Sequence, residues 1–177
     1  MKKIYLKCIP FIAILSLCVS CKTYASIRKV SVLTDYMANS NLKYYIRPQR
    51  FESESYKQDK AYLMLDFTYQ MKDRDYVSDA FTNFSLYYKT TAYIKSANFI
   101  LKDGSIVALK NITLLDRDAK KSYLRISTIL EKDSIKTVLN ELCYNNAALE
   151  LSLDDGTTIR FFPNEEAKTK ISNAFSM

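Results

Sequence analysis

The chain predicts an α+β fold that is mainly antiparallel β, a sandwich or a strongly twisted sheet carrying two C-terminal helices. Leu63, Leu65, Phe67, Tyr69 and Met71 alternate with Met64, Asp66, Thr68, Gln70 and Lys72, the period of two that gives a strand one buried face. Two Asp-Gly pairs, Asp103-Gly104 and Asp155-Gly156, stand between runs of strand-forming residues, the local signal of a hairpin. Towards the C-terminus the apolar spacing changes to the helical interval at Ile135, Val138, Leu139 and Leu142. Strands followed by helix, hairpin and helix imply helices laid against one sheet.

Taken in order, residues 21–26 read as a tether, and Ile27 to Leu33 as a first extended segment with Val30 and Val32 on one side. Leu42, Tyr44 and Ile46 alternate with Lys43, Tyr45 and Arg47. That strand is expected to stop before Pro48, since the residue preceding a proline is biased to extended geometry. Arg50 to Lys60 is polar and reads as a loop. After the long strand, Lys72 to Asp75 turn the chain, and Phe81 to Ile94 carries a second extended stretch with a bend or bulge inside it.

At the second Asp-Gly pair, a two-residue turn sets Leu151 opposite Arg160, whereas a three-residue loop sets it opposite Ile159. The apolar face decides register, so Asp154-Asp155-Gly156 is expected as the loop, with Gly156 left-handed. By the same count Lys102-Asp103-Gly104 groups Phe99 and Leu101 with Val107 and Leu109. Leu124, Ile126 and Leu130 mark a further strand. Asp133 or Ser134 is expected to cap the first helix, which ends at Asn145-Asn146. Asn164-Glu165-Glu166 supplies a cap and an acidic first turn for the last helix, with Ala167, Ile171, Ala174 and Phe175 on one face.

Composition removes several chemistries. The chain has no histidine, so His metal ligands, the Ser-His-Asp arrangement and a Cys-His pair are all excluded. Gly104 and Gly156 are the only glycines; no phosphate-cradling loop, dinucleotide fingerprint or nucleophile elbow can be written, and no cofactor is expected. Fourteen tyrosines and nine phenylalanines suit a pleated, half-buried surface.

Lys2, Lys3 and Lys7 open the chain, Cys8 to Ser20 follow without a charge, and the run closes on Leu17-Cys18-Val19-Ser20-Cys21. This resembles the export signal and lipobox of bacterial lipoproteins. The resemblance implies that residues 1–20 are removed, that Cys21 takes the lipid (palmitate among its acyl groups), and that 27–177 is one β-rich domain. Lys22 in place of an aspartate, with no acidic cluster behind it, implies the outer membrane of a Gram-negative cell, facing the periplasm rather than the surface. The alternative is an ordinary signal peptide or short anchor with Cys21 unmodified. Without the three signal lysines, 23 basic residues face 19 acidic ones, and net charge falls from +7 to +4, too mild to call for nucleic acid. Cys143 is then the remaining thiol and no intrachain disulfide can form; it reads as a core cysteine.

Site candidates are few. Tyr44-Tyr45 and Tyr87-Tyr88 each put one ring on either face of a strand, with Arg47 and Arg50 close in sequence; outward rings dock partners or stack on sugars, and inward ones pack. Residues Tyr44, Tyr45, Arg47, Arg50, Tyr87 and Tyr88 are therefore the candidate partner-binding set. The alternative for these rings is cross-strand packing on a sheet with both faces partly covered. Asp73-Arg74-Asp75 and Asp116-Arg117-Asp118 read as solvated loops rather than Ca²⁺ sites. Glu52, Glu54, Asp66 and Glu150 offer carboxylates for hydrolysis only in principle. The expected function is that of a non-enzymatic, lipid-anchored envelope lipoprotein that binds an envelope protein or glycan. A surface adhesion or polysaccharide-binding subunit is the alternative, and a carboxylate-only hydrolase a distant one.

Overall fold

The computed structural model describes residues 32–37 and 40–175. The expected export signal, Cys21 and the expected tether, with residues 27–31 and the side chain of Phe175, lie outside the described residues. The fold is α+β, mainly antiparallel β, with two C-terminal helices. In chain order the strands are β1 (Val32–Tyr36), β2 (Leu42–Ser53), β3 (Tyr62–Lys72), β4 (Asp75–Tyr76), β5 (Ala80–Tyr87), β6 (Ile94–Ile100), β7 (Ile106–Ala108), β8 (Lys110–Asp118), β9 (Tyr123–Leu130), β10 (Ala148–Leu153) and β11 (Thr158–Pro163). Helix α1 (Tyr56–Asp59) joins β2 to β3, α2 (Lys132–Tyr144) follows β9, and α3 (Glu165–Phe175) follows β11.

All the pairings described are antiparallel, in the order β7-β6-β10-β11-β2-β3-β5-β9-β8, with β1 and β4 added beside β2 and β3. The two ends of that path, β7 and β8, are one stretch of chain with only Leu109 between them. The Leu109 amide donates to the Ala97 carbonyl at 2.9 Å. The sheet therefore curls nearly closed on itself, instead of splitting into the two layers of a sandwich. Alternating burial serves both arrangements equally, and the sequence carries no mark of which edges meet. An eight-walled ring is just wide enough for side chains to fill. Here Phe67 of β3 and Phe99 of β6 stack across the interior with centroids 6.3 Å apart. Phe51, Phe84, Phe161, Leu65 and Leu149 are fully buried around them.

Both hairpin loops have the expected three residues: Leu151 pairs with Ile159, and Phe99 with Val107. Gly104 and Gly156 lie at φ +84° and +87°. β2 does not stop at Pro48. Its ladder with β3 is irregular between Ile46 and Gln49, and a bulge there tolerates a proline without a lost ladder donor. The bulge also inverts the alternation: Ile46 before it and Phe51 and Ser53 after it are all buried. Arg50 to Ser53 are thus strand rather than loop.

The extended stretch from Phe81 resolves into two strands that are not neighbours, because the chain leaves β5 at Tyr87 and crosses the ring to begin β6 at Ile94. β8 has no counterpart in the sequence reading, and Asp116-Arg117-Asp118 belongs to it. α2 begins at Lys132 with Glu131, not Asp133 or Ser134, at the cap position. Its first amide donates instead to Asp79 Oδ1 at 2.9 Å. Ile135, Val138, Leu139, Leu142 and Cys143 are its buried stripe. α3 is capped by Asn164, whose Oδ1 accepts from the Ala167 amide at 2.8 Å, and buries Ala167, Ile171 and Ala174.

Candidate binding face

The outward face of β2, β3, β5 and β9 carries two distinct rungs. The first is aromatic. Glu52, Tyr62, Tyr87, Tyr123 and Asp118 stand opposite one another across five strands. Tyr62 stacks on Tyr87 at 4.6 Å with planes 9° apart, and Tyr87 meets Tyr123 at 5.3 Å with a 58° tilt. The Arg50 guanidinium lies 4.1 Å above the Tyr62 ring, donates to Tyr56 Oη at 2.6 Å and pairs with Glu52 at 3.0 Å. Tyr56, Arg50, Tyr62, Tyr87 and Tyr123 are all half-buried. Cross-strand ring pairs and a guanidinium over a ring each contribute about 0.5–1 kcal/mol at exposed sites. Burial raises the Tyr87 phenol above its ordinary value, assisted by Tyr62 and Tyr123 and opposed by Arg125.

The second rung is a charged clamp. Asp66 points outward yet is only 1% exposed. Its Oδ1 accepts from Asn83 Nδ2 at 2.9 Å and its Oδ2 from Arg125 Nη2 at 2.7 Å, while Arg125 Nη1 donates to Ser85 Oγ at 2.9 Å. One carboxylate and one guanidinium thus tie β3, β5 and β9, and every polar group there has a partner, as burial of charge demands. Tyr45 flanks the clamp; burial first and Asp66 second raise its phenol, against Arg125 and Arg47.

The six predicted partner-binding residues divide. Tyr45, Arg50 and Tyr87 face outward. Tyr44 and Tyr88 instead pack against the core, Tyr44 stacked on the buried Tyr69 at 5.3 Å. Each adjacent pair does therefore split between the two faces. Arg47 sits half-buried at the bulge, where its carbonyl accepts from Gln49 Nε2 at 2.6 Å. Tyr56, Tyr62 and Tyr123 were missed. None of them belongs to an adjacent tyrosine pair, and only the registers of β3, β5 and β9 bring Tyr62 and Tyr123 beside Tyr87. Tyr45 and Arg50 are an odd number of residues apart, so simple alternation puts them on opposite faces; the bulge at Pro48 brings them to the same one.

The remaining candidates are absorbed locally. Arg117 donates to the Thr91 and Ala92 carbonyls at 2.7 and 3.1 Å and lies over Tyr93 at 4.7 Å. Asp118 caps the short 3-10 turn Ala119–Lys121, and its hydrogen bond from Lys121 holds its carboxyl below the usual range. Asp73 and Arg74 are the two left-handed residues of the β3–β4 turn, at φ 50° and 73°. Glu150 pairs with Arg160 at 2.7 Å. Desolvation pushes the buried Cys143 thiol up to about 11, away from nucleophilic use at neutral pH. Among the described residues no three acidic or thiol side chains gather as a metal site. No helix among them is long and apolar enough to cross a membrane.

Comparison with known proteins found no matching family model, no matching curated protein and no matching solved structure.

Proposed function

We propose that the protein is a lipid-anchored lipoprotein of the bacterial outer membrane, held through Cys21 and facing the periplasm, whose β domain is a non-enzymatic docking module. The observation that carries the docking part is the Arg50–Tyr62–Tyr87–Tyr123 rung. It joins half-buried tyrosines and an arginine in one row, the residue types that anchor protein interfaces. A protein partner is favoured over a glycan. Sugars stack on open ring faces, and both faces of Tyr62 are already covered, by Arg50 on one side and Tyr87 on the other. What the rung offers is ring edges and phenol hydroxyls. Of the four carboxylates considered for a hydrolase, three are engaged, Asp66 by Arg125 and Asn83, Glu52 by Arg50 and Glu150 by Arg160, while Glu54 is exposed at the start of the turn into α1. Tethering by lipid raises the local concentration of such a module near other envelope components.

The test combines two measurements on protein solubilised from native membranes. Mass spectrometry is expected to find a chain beginning at an acylated Cys21, and a full-length, unacylated chain in the soluble cell interior would overturn the anchored reading. Co-purification is expected to recover a protein partner that Tyr62→Ser/Tyr87→Ser/Tyr123→Ser no longer retains. Equal recovery by that variant, still folded, would overturn the docking reading.

A further inference from the structure

We infer that the tyrosine rung is a site of oxidative cross-linking, where Tyr62 and Tyr87 join by a carbon–carbon bond between their rings and so staple β3 to β5. The inference holds whether or not the rung also docks a partner. It starts from which groups of this chain can give up a single electron. There is no tryptophan, and among the described residues the one thiol, Cys143, is buried. Methionine is oxidised by oxygen transfer instead, to its sulfoxide. Phenols are left to carry one-electron chemistry, and the chain has fourteen.

Position separates these phenols. Among the described residues, tyrosine rings meet in two outward pairs, Tyr62–Tyr87 and Tyr87–Tyr123, and two inward ones, Tyr44–Tyr69 and Tyr69–Tyr76. Tyr62 and Tyr87 are direct cross-strand partners, so their side chains leave the sheet side by side. With planes 9° apart and centroids 4.6 Å apart, one ring lies against the other in van der Waals contact. Tyr123 meets Tyr87 less closely, at 5.3 Å and a 58° tilt, and makes the lesser partner. All three rings are half-buried, so an oxidant reaches them and water can take the proton that each phenol must shed. The inner pairs share Tyr69, which is 2% exposed. Burial holds its phenol well above the ordinary value, and its proton has no such exit.

The step balances. Each phenol gives one electron to the oxidant and its hydroxyl proton to water, leaving two phenoxyl radicals. One Cε atom of each ring forms the new bond, and the hydrogen on each of those carbons moves to the oxygen of its own ring, restoring both phenols. Two equivalents of a one-electron oxidant, in chemical class a peroxide-derived radical, are reduced, and the chain loses two hydrogen atoms. Because the second ring already touches the first, coupling is unimolecular and outpaces linkage between separate chains. The bond closes residues 62–87 into a covalent loop, which restricts the unfolded chain.

The experiment is photolysis of tris(bipyridyl)ruthenium(II) with persulfate, a source of one-electron oxidant, in a dilute solution of the full-length protein in neutral detergent. Dityrosine fluorescence is expected, with a pair of digest peptides joined between Tyr62 and Tyr87 and lighter than its parts by two hydrogens. Tyr87→Phe keeps a ring in the stack but removes the phenol, and is expected to lower the yield at least about tenfold. Tyr62→Phe is expected to lose the same link, and serves if Tyr87→Phe does not fold. Tyr44→Phe, which removes an inner partner, is expected to leave the yield unchanged. The cross-linked chain is expected to melt at least about 3 °C above the identically treated Tyr87→Phe chain. Equal yields with and without the Tyr87 phenol would overturn the inference, as would a Tyr44–Tyr69 link in comparable yield or chain-to-chain dimers as the main product. A chain linked between Tyr62 and Tyr87 that melts no higher would overturn the staple.

Discussion

The same three strands, β3, β5 and β9, present two outward rungs that differ in what they leave available. At Asp66, Asn83, Ser85 and Arg125 each polar group is spent on another, and the carboxylate is sealed from water. At Tyr62, Tyr87 and Tyr123 the ring faces are spent on one another, while their edges and hydroxyls stay half-exposed. The first rung holds strands together, and the second holds together a surface. Outward position alone therefore does not mark a residue for binding; what matters is how much of its chemistry its neighbours leave unused.

The largest expected effect falls on the clamp. Asp66→Ala leaves Arg125 and Asn83 without their acceptor, and breaking such a pair costs about 3–5 kcal/mol; partial solvent access at Arg125 puts the loss towards the lower end. Denaturant unfolding measures it, and a loss below about 1 kcal/mol, the scale of a surface ion pair, would mean that the clamp is not structural. Next comes alkaline pH, which separates inner from outer tyrosines. Burial raises Tyr69 and pushes Tyr76 up to about 12, above the ordinary value of 10.0. Their stabilising effect is complete below pH 10 and is lost as pH climbs from there towards about 12. Phenolate absorbance is expected to show these two ionising only with unfolding; early ionisation of all tyrosines would contradict their burial.

Gly156→Val lies in the β10–β11 hairpin, outside both rungs, and is a control. No atom lies within 4 Å of an added Cβ, so the cost is that of the left-handed backbone alone, about 1–3 kcal/mol for a β-branched residue. It is expected to lower the melting temperature without altering partner binding. The smallest effect on stability belongs to Tyr62→Ser, about 0.5–1.5 kcal/mol for the lost ring stack, but with the largest effect on docking. A Tyr62→Ser chain as destabilised as Asp66→Ala would erase the distinction between the two rungs.

Much of this was legible in the sequence and some was not, for physical reasons. Period-two burial placed β3 and β9, apolar register fixed both glycine loops, and helical spacing found α2 and α3. β8 escaped because it is mostly exposed and twice irregular in register, so no alternation marks it. Closure depends on which edges meet, a property of pairing that leaves no local pattern. The cap of α2 was misread because its acceptor, Asp79, lies 53 residues away. Of the site, one outward ring in each tyrosine pair and the nearness of Arg50 in sequence were legible; that Arg50 shares the face of Tyr45 was not, since it needs the bulge at Pro48. The continuity of the rung was not, since it needs the pairing of Tyr62 with Tyr87 and of Tyr87 with Tyr123.

The most direct test of the docking face is paired photo-crosslinking in living cells. A photoreactive residue replaces Tyr87 in one strain and Asn98 of β6, on the opposite wall, in another. A discrete crosslinked protein adduct is expected from position 87 and none from position 98. Adducts of equal yield at both positions, or none at 87 from a folded, membrane-located chain, would contradict a docking face on the tyrosine rung.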